Sequence, residues 1–149
     1  MKILGVETSC DDTAAGVVAD GCTVLSSIVA SQLEIHGPFG GVVPELASRS
    51  HLKAVLPVID AALEQAGVGW GQLDGIAVTR GPGLVGSLLM GLSTAKALAY
   101  IHDLPLLGVN HLEAHICSVF LDHPHLTLPM LALVVSGGHT ALYLAGQDG

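Results

Sequence analysis

The order in which apolar runs follow one another limits this chain to very few folds. The opening reads as three consecutive strands: 2–7, then 13–19 after a polar turn, then 23–30 after the turn pair Asp20-Gly21. The pattern then changes to helical periodicity. Pro44 suits the first position of a helix whose apolar residues Leu46, Val55, Ile59 and Leu63 recur until Gly67, with Pro57 expected to kink or split it. A strand (75–79), a glycine-rich turn, a helix (about 84–101), a strand (106–109) and a helix (about 111–121) follow.

The order βββ-α-β-α-β-α predicts an α/β domain with a mixed sheet, in which antiparallel strands join alternating β and α units and helices pack on the faces. By analogy this is a ribonuclease-H-like arrangement. A second feature concerns completeness. Ile3-Leu4-Gly5-Val6-Glu7-Thr8-Ser9-Cys10-Asp11-Asp12-Thr13 is strand, polar turn, strand, and Met130-Leu131-Ala132-Leu133-Val134-Val135-Ser136-Gly137-Gly138-His139-Thr140 repeats the scheme. The expected division is a first domain over 1–128 and, over 129–149, the first hairpin of a second, truncated domain. A lone hairpin cannot bury its own face, so the chain is expected to be a fragment.

Composition excludes several classes. Half of the 149 residues are apolar, which suffices for a core. The most apolar window, 84–101, is interrupted by Ser87, Ser93, Thr94 and Lys96, as in a buried helix rather than a membrane span. No signal peptide is legible after Met1-Lys2. Three cysteines without a C-x-x-C pair fit a reducing cytoplasm, the expected location. A net charge of −8 with only five Lys and Arg gives this chain no electrostatic footprint for a nucleic acid.

Asn110-His111-Leu112-Glu113-Ala114-His115 is the sharpest constellation. Asn110 suits an N-cap, with Glu113 in the capping-box position. His111 and His115 then sit at i and i+4 on one helix face, where two imidazoles can converge on one ion. Two unrelated polar side chains on a surface helix would show the same spacing. A zinc-protease helix needs a Glu beside one of the two His, whereas Leu112 and Ala114 stand there. The turns 8–13 and 136–140 are the second signal. Gly137 and Gly138 allow close backbone approach to an anion, and Ser136 and Thr140 add hydroxyls; an ordinary hairpin turn would read alike. Asp11 and Asp12 are either solvated turn residues or carboxylates with a metal-linked or proton-transfer role. Arg80-Gly81-Pro82-Gly83-Leu84-Val85-Gly86-Ser87 lacks the P-loop ending, so its glycines serve either helix–sheet packing or a ligand. His123 and His125 read as surface residues.

Five motifs taken together resemble one family: Glu7-Thr8-Ser9-Cys10-Asp11-Asp12-Thr13, Gly41-Val42-Val43-Pro44-Glu45-Leu46-Ala47-Ser48-Arg49, Gly81-Pro82-Gly83-Leu84-Val85-Gly86, His111-Leu112-Glu113-Ala114-His115 and Ser136-Gly137-Gly138-His139-Thr140. The family is the bacterial tRNA N6-adenosine threonylcarbamoyltransferase catalytic subunit, formerly called O-sialoglycoprotein endopeptidase. Members are roughly twice this length.

The resemblance implies the actin, Hsp70 and sugar-kinase superfamily fold, with two ribonuclease-H-like domains closing on a nucleotide. It implies transfer of the threonylcarbamoyl group from threonylcarbamoyl-adenylate to N6 of adenosine 37 in tRNAs reading codons that begin with A. His111 and His115 would bind one divalent metal, iron or zinc. Val134, Val135, Ser136, Gly137 and Gly138 would line the adenylate site, with ATP as the alternative nucleotide. The family's remaining metal ligand is an Asp far toward the C-terminus. Partners would be tRNA, a paralogous subunit of the same fold and an ATPase subunit, with no membrane. Bacterial members usually read Cys-Asp-Glu-Thr in the first turn, so Asp12 is a departure that bears on that carboxylate's role. The fragment alone is expected to be inactive. The competing readings are a metalloprotease, opposed by the position of Glu113, a non-catalytic partner subunit, opposed by the paired His, and a kinase on the same superfold.

Overall fold

Side-chain alternation along the first strand sets the layout of the computed structural model, which describes residues 1–136 and 140–146. In β1 (Lys2–Glu7), Leu4 and Val6 are buried, while Ile3, Gly5 and Glu7 fall on the other face. β1 pairs antiparallel with β2 (Asp12–Ala19), and β2 antiparallel with β3 (Thr23–Ser31). On its other side β1 runs parallel to β4 (Gly75–Gly81), and β4 parallel to β5 (Leu106–Asn110). The five-stranded order β3-β2-β1-β4-β5 is the mixed sheet that the element order predicts.

Two helices cover one face. Val55, Ile59 and Ala62 of α2 (Pro44–Ala66) and Ala95 and Ala99 of α3 (Val85–His102) close over Leu4, Val6, Val17, Ile76 and Val78. Each such buried Val, Leu or Ile contributes about 1.5–3 kcal/mol. A short helix, α1 (Leu33–His36), precedes α2. α2 starts at Pro44 and stops at Gly67, whose φ of +63° suits glycine. Of the expected kink or split at Pro57, the split does not occur, and the helix runs on through 23 residues. Val55, Val58 and Ile59 flank the proline and are pinned in the core, while Pro57 itself faces solvent.

β5 leads into α4 (His111–Cys117) and then α5 (Val119–Asp122), where one helix was expected. The break falls at Ser118, whose hydroxyl donates to the His115 carbonyl and competes with the backbone ladder. β6 (Met130–Val135) and β7 (Thr140–Ala145) form a separate antiparallel hairpin, so both copies of the repeated scheme fold as hairpins. β6 packs against α4, while Leu131, Leu133, Val135, Leu142 and Leu144 are 64–75% exposed. Among the described residues no helix is long and apolar enough to cross a membrane.

Because β1, β4 and β5 are parallel, their carboxyl ends share one edge, where Glu7, Thr79 and Asn110 end up close together. Open α/β sheets bind ligands at that edge.

Candidate functional site

The paired histidines owe their position to Asn110. Its side-chain oxygen accepts from the backbone N–H of Leu112 (2.9 Å) and of Glu113 (3.3 Å), which starts α4 directly at the end of β5. One turn apart, the Nε2 atoms of His111 and His115 stand 3.1 Å from each other. Two imidazole nitrogens on one tetrahedral ion, each at about 2.0–2.1 Å, would be about 3.3 Å apart. The pair therefore already has ligand spacing, and imidazole suits zinc or iron better than magnesium. Among the described residues no group of three His, Cys, Asp or Glu side chains converges, so the pair needs a further ligand. Glu113 is exposed and has no part in the pair.

Behind His111 lies a support that the sequence reading assigned no role. Glu7 Oε2 meets His111 Nδ1 at 3.2 Å, and the same oxygen accepts from the Thr79 hydroxyl. The other oxygen, Oε1, accepts from the Ser9 backbone N–H. Burial pushes the Glu7 pKa up, but hydrogen bonds from Ser9, Thr79 and His111 outweigh it and bring it below the ordinary value. An ionised carboxylate can only accept, so His111 donates from Nδ1, and in the neutral ring this leaves the Nε2 lone pair toward His115. Carboxylates hold metal-binding histidines in this way. The legible signal was a charged residue closing an otherwise apolar strand.

The first turn sits directly against this group. Ser9 Oγ lies 3.2 Å from His111 Nδ1. The Ser9 carbonyl accepts from Leu84 N–H at 2.8 Å, and a Cβ on Gly83 would stand 2.5 Å from that same oxygen. A Cβ on Gly86 would meet Ser48, and one on Gly91 would meet Thr8. Within the glycine-rich segment, Gly83 and Gly86 are thus closely packed, whereas a Cβ on Gly81 would meet nothing within 4 Å. Asp11 is half-buried and Asp12 exposed on the turn. Burial and the neighbouring Asp11 and Asp12 push the Cys10 thiol up to about 11.

In the second hairpin, Val134 joins His115, Ile116 and Val119 around a cleft of about 240 Å³. Val135 is exposed, as is Ser136. Gly137 and Gly138 lie outside the described residues. His123 and His125 are exposed, as read. A larger groove of about 590 Å³ runs over the sheet face opposite α2 and α3, from Ile3 and Val18 to His111 and His115.

The family model described as tRNA N6-adenosine threonylcarbamoyltransferase matches residues 23–149. A relative of that name from Syntrophobacter fumaroxidans is 64% identical over all of this chain and 44% of its own length. Another, from a Geobacter species, is 59% identical over 96% of this chain and 42% of its own length. The chain thus spans less than half the length of these curated relatives. Among solved structures, YeaZ from Pseudomonas aeruginosa superposes with a TM-score of 0.54 at 20% identity, covering 74% of this chain and 43% of its own. An uncharacterised P. aeruginosa protein with similarity to peptidase YEAZ reaches 0.59 at 18% identity, over 95% of this chain and 63% of its own. These two likenesses concern the fold.

Proposed function

The chain belongs to the tRNA N6-adenosine threonylcarbamoyltransferase family, and from that premise we propose that it forms the N-terminal part of an enzyme moving threonylcarbamoyl from its adenylate to N6 of adenosine 37 in tRNA. The observation that carries this reading is the His111–His115 pair at ligand spacing, backed by Glu7, at the carboxyl edge of three parallel strands.

The reaction joins N6 to the carbamoyl carbon, breaks that carbon's bond to the phosphate oxygen, and releases AMP and a proton. The exocyclic amine of adenine is a weak nucleophile because its lone pair is delocalised into the ring, so positioning must supply much of the rate. In this reading His111 and His115 hold one iron or zinc ion, with a third ligand from a more C-terminal segment. When bound, the ion acts as a Lewis acid toward the adenylate's oxygens. Glu7 keeps His111 in the ligating tautomer. The turn at Ser9-Cys10-Asp11 would present backbone and hydroxyl donors to the adenylate; Val134, Val135, Ser136, Gly137 and Gly138 are the proposed adenylate-site residues of the second hairpin, and Asp11 or Asp12 would take the departing proton.

With a net charge of −8, this chain leaves tRNA binding to the remainder of the enzyme or to partner subunits. A paralogous subunit of the same fold and an ATPase subunit are the proposed partners, the first being consistent with the YeaZ likeness. Cytoplasmic location follows from the tRNA substrate. A metalloprotease is disfavoured by the position of Glu113, which is adjacent to neither His111 nor His115. The test is formation of the modified nucleoside by the complete enzyme, given the adenylate and a tRNA with adenosine at position 37. No product with active partner subunits present contradicts the proposal.

A further inference from the structure

Behind the first turn lies a buried polar chain that no catalytic step uses. Among the described residues, the side chains of His51 (0% exposed), Thr13 (0%), Gln32 (2%) and His36 (4%) bond only to one another and to backbone. Their partners fix every proton. His51 Nε2 meets the Cys10 carbonyl at 3.0 Å, and a carbonyl only accepts, so this nitrogen carries the hydrogen. His51 Nδ1 therefore accepts, from the Thr13 hydroxyl at 2.8 Å and from Gln32 Nε2 at 3.3 Å. Gln32 Nε2 also reaches the Ala47 carbonyl at 3.5 Å, which fixes the orientation of the amide. Gln32 Oε1 then accepts from His36 Nε2 at 3.1 Å, and His36 Nδ1 accepts from the Val43 N–H at 3.3 Å. No donor faces a donor anywhere along the chain.

The network ends on the turn. Three successive carbonyls there are each held from a different element: Ser9 by Leu84 N–H of the glycine-rich segment (2.8 Å), Cys10 by His51 of α2 (3.0 Å), and Asp11 by Gln32 N–H after β3 (3.1 Å). The middle anchor alone is a side chain. Ser9, next to the carbonyl that His51 holds, touches His111. Two residues beyond the 41–49 motif, α2 thus reaches the site through the imidazole of His51.

We propose that His51 is a positioning residue: held as the Nε2–H tautomer by the acceptor-only Cys10 carbonyl on one side and the Gln32 amide on the other, it fixes the Ser9-Cys10-Asp11 turn against His111. Its effect on transfer rests on the proposed function, because the turn is there taken to meet the adenylate phosphate. Fully satisfied buried networks of this kind specify one conformation, and losing the anchor frees the turn to move.

The test uses the complete enzyme and two readouts. His51→Leu keeps bulk and removes both nitrogens. Amide hydrogen exchange across residues 9–12 should accelerate about tenfold, and kcat/KM for threonylcarbamoyl-adenylate should fall about tenfold with KM raised, the loss expected for one hydrogen bond. His51→Gln, whose amide can donate to the Cys10 carbonyl, should restore both. If His51→Leu does not fold, Thr13→Val removes only the hydroxyl that donates to His51 Nδ1 and should give the same pattern more weakly. A merely structural residue would lower the melting temperature and leave KM alone. Exchange that stays at the wild-type rate in a folded variant overturns the proposal, as does faster exchange with unchanged KM. Exchange needs no turnover, so an enzyme that transfers nothing defeats the proposed function while the exchange result still decides the role of His51.

Discussion

Glu7 and His111 are 104 positions apart in sequence and meet through a 3.2 Å contact between Oε2 and Nδ1. β1 and β5 never pair with each other; both pair with β4, and that arrangement brings their ends together. The carboxylate faces donors only: the Thr79 hydroxyl, the Ser9 N–H and His111 Nδ1–H.

Replacing Glu7 by Gln puts an NH₂ group where every neighbour is a donor. Iron or zinc titration of the complete enzyme should show affinity reduced about 10–100-fold, the usual cost of losing a histidine's carboxylate support. Unchanged affinity would mean that Glu7 does not set the His111 tautomer.

The same carboxylate makes stability depend on pH in a defined direction. Its pKa is lowered in the folded chain because the three donors outweigh burial. A depressed carboxylate pKa stabilises the fold above the ordinary Glu value of about 4.3, and that contribution disappears as pH falls through the folded value. The melting-temperature gap between wild type and Glu7→Gln should therefore be widest near neutrality and should close in acid. A gap independent of pH contradicts this.

Two glycines of α3 separate tight packing from tolerant packing. A Cβ on Gly91 would stand 2.3 Å from Oγ1 and 3.2 Å from Cγ2 of buried Thr8, whose hydroxyl is tied to the Ser87 carbonyl. A Cβ on Gly86 would stand 2.3 Å from Ser48 Oγ, the end of a partly exposed side chain that can give up its 2.9 Å bond to the Pro44 carbonyl and rotate toward water. Denaturant unfolding should show Gly91→Ala destabilised by about 1–3 kcal/mol, and Gly86→Ala by well under that. Equal costs would remove the distinction.

Cys10 is exposed yet should react slowly. Burial of its sulfur and the carboxylates of Asp11 and Asp12 push its pKa up to about 11. At pH 8 its thiolate fraction is then about 0.1%, against roughly a quarter for a free thiol of pKa about 8.5. Iodoacetamide labelling at that pH, followed peptide by peptide, should be slower than for an unstructured cysteine peptide by up to about 250-fold, the ratio of the two thiolate fractions. Labelling at the free-thiol rate contradicts the assignment.

Most of the fold was legible because alternation and periodicity are local properties. Lys2–Glu7 and the α2 limits at Pro44 and Gly67 could be read from patterns a few residues long. The His111–His115 spacing was legible for the same reason. Glu7, Thr79, His51 and Gln32 were not, because their roles depend on partners 19 to 104 positions away, brought near only by strand order. The continuity of α2 through Pro57 was likewise decided by tertiary burial of Val55, Val58 and Ile59, which local propensity does not see.

The central claim is that the His111–His115 pair is the metal-holding half of a transfer site. The direct measurement compares the complete enzyme with its His111→Ala variant for bound metal and for threonylcarbamoyl transfer to tRNA. His111 is half-buried on a short capped helix, so the variant should fold with a melting temperature within a few degrees of wild type. Metal content and transfer should then be lost together. A folded His111→Ala enzyme that transfers at the wild-type rate with no bound metal contradicts the account.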